Sequence, residues 1–179
     1  MISKAIELHP VGFVKEHSNK INWETVTIEV DLSDESLLEY KDYLKWELFC
    51  GVKPVPDVVL GAIPEKLDWK QICKFQKIPD NILNAQQVYV PWKTACAYQR
   101  MGEDVLRTHT DKLHWDRVSE HQTLSEAFMH DYREKLNWKF MIMSQKMTSE
   151  FIEAHKGNMP WKVMRHVPGA FAIFGDKDA

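Results

Sequence analysis

Hydrophobic positions recur along this chain at a fixed interval of 23 residues. An apolar residue stands two positions before each repeat point and another three positions after it, so one stripe of a helix is apolar. Self-similarity at a fixed period of this length is typical of a repeat architecture. Seven tryptophans mark the interval: Trp23, Trp46, Trp69, Trp92, Trp115, Trp138 and Trp161.

Each period predicts two short helices. The residue before the tryptophan is Asn, Asp or Pro in most units, and these residues favour the start of a helix, called the A helix below. Ten residues after the tryptophan, Ser, Thr, Pro or Gly precedes a polar residue and then an apolar pair, which predicts a second helix, the B helix. Helices this short are unstable alone, so their apolar stripes are buried only when units stack.

The sequence therefore predicts an all-α fold, an α-solenoid of about seven stacked short helix-turn-helix units. We expect residues 1–179 to form a single repeat domain. Its parts are an N-terminal partial or capping unit at 1–22, the repeats at 23–161, and a C-terminal cap and tail at 162–179.

Both ends depart from the pattern. Thr25 to Leu32 alternates polar and apolar residues and is rich in β-branched side chains, which favours a strand as much as a helix. After Trp161, Pro168-Gly169 interrupts the repeat and Ala170 to Phe174 is a short apolar run. Short strands at the two termini are therefore the alternative to helices there.

Tryptophan and glutamine each keep a fixed place in the unit, and both fit structural roles. A row of exposed tryptophans could stack nucleotide bases, but each Trp begins an apolar stripe, which favours burial in the core. A glutamine where the A helix ends can pair with backbone groups that the turn leaves without partners, and this role is favoured over recognition. Four central units carry this glutamine seven residues after Trp: Gln76, Gln99, Gln122 and Gln145.

Three cysteines follow the same period, four residues after tryptophan: Cys50, Cys73 and Cys96. Thr27 and Ser119 hold this position in other units, so a small buried residue is favoured over a row of metal-binding thiols. The sequence also lacks the CxxC pairs that mark zinc sites.

Four histidines cluster in sequence but occupy different positions of the unit: His109, His114, His121 and His130. His109 lies six residues before a tryptophan, as His17 and His155 do, near the end of a B helix where a cationic side chain suits the helix dipole. HExxH, GxGxxG, Walker and GxSxG motifs are absent. We therefore expect no metal, no cofactor and no enzymatic activity.

Charge offers one weak candidate surface. The formal net charge of −3 gives no overall bias toward nucleic acid. The residue after tryptophan is lysine in four units, but Glu24, Glu47 and Asp116 interrupt this row, so an ordinary solvated face is the alternative interpretation. The candidate binding residues are Lys70, Lys93, Arg117, Lys139 and Lys162.

The consensus itself resembles a known repeat. Lys112 to Met129 combines Lys-Leu-x-Trp, a Gln seven residues after Trp, and Ser-Glu-x-Phe, and weaker copies cover Lys66 to Leu83 and Lys135 to Ile152. This pattern is similar to the short Trp-anchored helical repeat of bacteriophage and large DNA virus proteins. The resemblance implies a viral, phage-encoded protein with a binding role.

The leading hypothesis is a non-enzymatic protein-interaction module that engages a host protein, for example as an inhibitor of a defence protein. One alternative is a nucleic-acid-binding protein that uses the Lys and Arg face. The other is a protein that binds a nucleotide or small ligand at an oligomer interface. No apolar stretch is long enough to span a membrane and no signal peptide is recognisable, so the expected location is the cytoplasm, the host's if the protein is viral.

Overall fold

A computed structural model describes residues 11–160. Within that range the chain forms thirteen α-helices and three 3₁₀ turns and contains no strand, which confirms the all-α prediction. The A helices are α2 (Trp23–Glu29), α4 (Trp46–Val52), α6 (Trp69–Phe75), α8 (Trp92–Tyr98), α10 (Trp115–His121) and α12 (Trp138–Ser144). The B helices are α1 (Val11–Glu16), α3 (Asp34–Glu39), α5 (Asp57–Ala62), α7 (Asp80–Ala85), α9 (Glu103–Thr108), α11 (Glu126–Asp131) and α13 (Ser149–Ala154). None of these helices has the length and apolar content needed to cross a bilayer.

The chain divides into two compact units at the Pro91–Trp92 junction. In the first unit α2 packs on α4 and α4 on α6, while α3 packs on α5 and α5 on α7. In the second unit α8 packs on α10 and α10 on α12. Within each unit, successive A helices thus lie against one another, and so do the B helices of the first unit. Such packing of equivalent helices is the arrangement of a solenoid-like repeat and confirms the predicted stacking of helix pairs.

Helix starts follow the predicted capping residues. Asn22, Asp68 and Asn137 precede their tryptophans, and their side-chain oxygens accept backbone N–H groups from the first turn of the A helix. The hydroxyls of Ser125 and Thr148 do the same for B helices. Each accepts the backbone N–H of the residue three positions later, at 3.2 Å. These helices therefore begin where the local sequence favours a helix start, whereas α4 and α10 begin after Lys45 and His114 without a side-chain cap.

The strand alternative for Thr25 to Leu32 is wrong, because Trp23–Glu29 is a helix. Val26 and Val30 are buried whereas Ile28 is exposed, so the apolar residues face the core with helical spacing and not with alternation of period two. Packing against α4 overrides the strand preference of the β-branched residues. The apolar run at 170–174 lies outside the described residues.

Candidate binding surface

The tryptophans of the described range each begin an A helix, and Trp161 lies outside that range. Five of these six are buried, while Trp115 is half-buried and lies against Tyr132 and the Lys135 amine. Indole N–H groups donate to the carbonyl five residues earlier, with distances of 2.8–3.0 Å for Trp46, Trp69 and Trp138. Buried rings whose N–H groups are paired are not available to stack nucleotide bases.

The glutamines join neighbouring repeats. Gln122 Oε1 accepts from the backbone N–H of Met101 at 3.1 Å. Its Nε2 donates to the carbonyls of Cys96 and Gln99, each at 2.8 Å. All three partners are backbone groups, as expected, but they belong to the preceding repeat and not to the helix that ends at the glutamine.

Other positions of this row make equivalent bonds. Gln76 pairs with both backbone groups of Val55, at 2.8 and 2.7 Å. Gln145 accepts from Leu124 at 3.1 Å and donates to the Gln122 carbonyl at 2.6 Å. Gln99 is buried like Gln122. The amides of Gln76, Gln122 and Gln145 thus face the polypeptide backbone and leave little capacity for an external ligand.

A lysine takes this role where glutamine is missing. Lys53 stands seven residues after Trp46, and its amine donates to the Val30 carbonyl at 2.6 Å and pairs with Asp31 at 3.2 Å. Val30 lies 23 residues earlier, as Gln99 does relative to Gln122. The sequence pattern alone does not reveal that Lys53 substitutes functionally for the amide.

The small residue four positions after tryptophan also bridges repeats. Thr27 and Ser119 hydroxyls donate to the tryptophan carbonyl of their own helix, each at 2.7 Å. Each hydroxyl then accepts the backbone N–H that lies 18 residues later, from Lys45 at 3.1 Å and from Asn137 at 2.8 Å. The residue at this position therefore caps the next A helix.

The cysteines fit the same scheme and are buried free thiols. Backbone groups of Asp68 and His114, again 18 residues on, hydrogen-bond the Cys50 and Cys96 sulfurs. Burial raises the pKa of Cys73 to about 12, and Pro91, which holds the equivalent later position, has no N–H to offset it. A thiol held in the protonated form is a poor nucleophile and a poor metal ligand.

Replacing Ser119 with alanine is expected to lower the free energy of unfolding by about 1–3 kcal/mol, because the Asn137 N–H loses its acceptor. Ser119→Cys should cost less, since the sulfur can still accept the bond. Urea denaturation followed by circular dichroism measures both. Equal losses for the two variants would contradict a bridging role.

Burial opposes a positive charge on His109. Its ring is 3% exposed and lies 4.6 Å from the Trp92 ring. Burial, and secondarily the nearby Lys112, lowers its pKa below the usual 6.5. Desolvation of the charged imidazole thus works against the expected interaction of a cationic His109 with the helix dipole.

His109→Tyr is expected to flatten the dependence of stability on pH. The wild-type native state binds fewer protons than the unfolded state below about pH 6.5, so its free energy of unfolding falls as pH falls through the depressed pKa. Each unit of depression is worth about 1.4 kcal/mol. Tyrosine fits this position, because Tyr40 holds the equivalent position in an earlier repeat and its ring lies 5.6 Å from the Trp23 ring. Urea titrations of both proteins between neutral and mildly acidic pH test this, and parallel curves would contradict it.

The remaining histidines do not gather into one site. His114 precedes α10, His121 ends that helix 3.2 Å from Glu120, and His130 contacts His155 at 3.0 Å. Among residues 11–160, no group of three or more His, Cys, Asp or Glu side chains is arranged to hold a metal ion.

The candidate cations differ in their surroundings. Lys70, Lys93 and Lys139 are exposed, and no ion pair found in the described range involves them. Arg117 pairs with Glu120 at 2.9 Å. Lys162 lies outside the described residues. The structure therefore leaves three of the five cations available to an anionic partner.

Four of the nine large apolar side chains that are exposed in the described range lie on α2, α4 and α6. Val52 and Phe75, the last residues of α4 and α6, are 58% and 76% exposed, and Ile28 and Leu48 are exposed on the same layer. Because α4 packs on both α2 and α6, equivalent positions of these helices are neighbours. We call these four residues, together with the lysines of α6 and its C-terminal turn, the A face.

Those lysines include two that sequence reasoning missed. Lys74 and Lys77 are exposed beside Phe75, and no ion pair among residues 11–160 involves them. With Lys70 they make α6 and its C-terminal turn basic. The signal was available in the positions that vary between repeats, since the residues equivalent to Lys74 in the two neighbouring repeats are Gly51 and Ala97.

No protein-family model, curated protein or solved structure shows a significant match to the chain.

Proposed function

We propose that the chain is a non-enzymatic protein-interaction module that binds through the A face. The observation that carries this proposal is the exposure of Val52 and Phe75 at equivalent positions of two packed helices. Large apolar side chains grouped on a surface mark sites that another molecule covers. The tryptophans and the glutamines that recur between repeats are used for packing and for bonds between repeats, so recognition falls to the variable positions.

A photo-crosslinker tests this directly. We expect benzoylphenylalanine at position 75 to form one discrete protein adduct in bacterial lysate, the source suggested by the phage-like repeat. The matched control is the same substitution at Met143, which is 67% exposed in the second unit. Excess wild-type protein should suppress the adduct, while Val52→Ser/Phe75→Ser should not. The partner, once identified, must then bind the purified protein with an affinity that the double substitution lowers.

Either of two results would count against a binding role for the A face. One is the absence of any adduct at both positions. The other is an identical set of adducts at positions 75 and 143, which would indicate non-specific capture. The free energy of unfolding of the double variant should lie within about 0.5 kcal/mol of the wild-type value, because both side chains are exposed.

Nucleic-acid binding is the second candidate, favoured by the unpaired lysines beside Phe75. An exposed aromatic ring can stack a base while lysines neutralise phosphates. Affinity of this kind falls steeply with salt concentration, so anisotropy titrations of labelled oligonucleotides at low and physiological salt measure it. Absence of binding at low salt would remove this candidate.

A further inference from the structure

We propose that the partner bound by the A face is an amphipathic helix whose apolar side is flanked by carboxylates at the end that meets α6. This inference rests on the proposed interaction function and specifies its ligand. It follows from three properties of the A face: its apolar centre, the uneven distribution of its charge, and its length.

The apolar centre favours a protein ligand. Leu48 and Val52 are aliphatic and lie four residues apart on α4, so they form a ridge along that helix. Aliphatic side chains bury well against another apolar surface but offer no aromatic plane on which a base can stack. Gly51, between them in sequence, has open space around its Cα, which leaves room for an inserted side chain.

Charge is uneven across the three helices that carry the A face. Lys70, Lys74 and Lys77 are exposed at the α6 end. Glu24 and Glu29 are exposed on α2, and Glu47 is exposed on α4 at the position that Lys70 holds on α6. A nucleic-acid backbone laid across these helices would meet carboxylates at one end, which repel phosphate. A peptide with carboxylates only near α6 is attracted by the lysines there and is not repelled by the glutamates of α2 and α4. Such complementary potentials give an interface its specificity.

The length of the A face suits a short helix. Three helices packed about 8–10 Å apart place the outer two about 20 Å from each other. A helix of about 13 residues covers that distance at about 1.5 Å per residue. Amphipathic helices that dock in this way use apolar anchors on one side, at i, i+3 or i+4, and i+7.

Three fluorescent probes test the proposal against the full chain. The first is a helical peptide with a leucine and phenylalanine side and glutamates at one end. The second has lysines in place of those glutamates, and the third is an oligothymidine strand. We expect the acidic peptide to bind about tenfold more tightly than the basic one, since three exposed ion pairs each contribute a factor of a few.

Variants locate the effect. Lys70→Glu/Lys74→Glu/Lys77→Glu should remove the preference for the acidic peptide and allow the basic peptide to bind. Lys139→Glu/Lys146→Glu is the matched control, because these exposed lysines hold in α12 and its following turn the positions of Lys70 and Lys77. The control variant should change the affinity for either peptide less than about twofold. Phe75→Ser should weaken the binding of both peptides.

Several outcomes would overturn the proposal. They are equal binding of the two peptides, tighter binding of oligothymidine, an equal effect of the control lysines, or a dimer of the chain that Phe75→Ser converts to monomer. If position 75 crosslinks a partner without an acidic amphipathic segment, this inference fails while the interaction function stands. If neither crosslink nor peptide binding is seen, both fail.

Discussion

Trp69→Ala is expected to lower the free energy of unfolding by about 3–5 kcal/mol. The ring is buried at the start of α6, and its N–H donates to the Pro64 carbonyl at 2.8 Å, so truncation removes both apolar burial and a hydrogen bond. Small domains are stable by only about 5–15 kcal/mol, so the loss is a large part of the total. Chemical denaturation followed by far-UV circular dichroism measures it.

Two further substitutions separate the contributions. Trp69→Phe keeps an aromatic ring and removes the N–H, so it should cost less and remain folded even if the alanine variant does not. Trp115→Ala should also cost less than Trp69→Ala, because Trp115 is only half-buried. Equal losses at positions 69 and 115 would show that the tryptophans contribute through something other than burial.

Gln122→Leu is expected to cost about 2–4 kcal/mol. Leucine has a similar volume, but it leaves three backbone groups of the preceding repeat without their hydrogen-bond partner. A buried polar group without a partner costs about 1–3 kcal/mol. The matched control is Gln71→Leu, because the half-buried Gln71 side chain makes no hydrogen bond to the described part of the chain. The control should stay within about 0.5 kcal/mol of wild type. Denaturation midpoints for the two variants that coincide would contradict the bridging role of Gln122.

Gln122→Glu adds a test by pH. The introduced carboxylate would face the carbonyl oxygens of Cys96 and Gln99, and burial and repulsion should raise its pKa above the usual value of about 4.3. The native state then binds more protons than the unfolded state, so the stability of this variant relative to wild type should fall as pH rises through that range. A difference that does not change with pH would contradict this geometry.

The local sequence pattern alone predicts the repeat period, the starts of the helices and the place of each described tryptophan at the start of an A helix. These features depend on spacing along one helix and on capping residues next to its first turn, as Asn22 and Ser125 illustrate. At Thr25 to Leu32 the local signal was ambiguous, and packing of α2 on α4 decided for helix. The sequence therefore predicts those features that depend on residues close together along the chain.

Stacking decided the rest. The partners of Gln122 lie 21 to 26 residues earlier, those of Thr27 and Ser119 lie 18 residues later, and no local pattern specifies which repeat supplies them. The lowered pKa of His109 depends on burial against Trp92, and the grouping of Val52 with Phe75 depends on the packing of α4 against α6. Hydrogen-bond partners, desolvation and surface neighbours arise between repeats, so only the packed tertiary structure determines them.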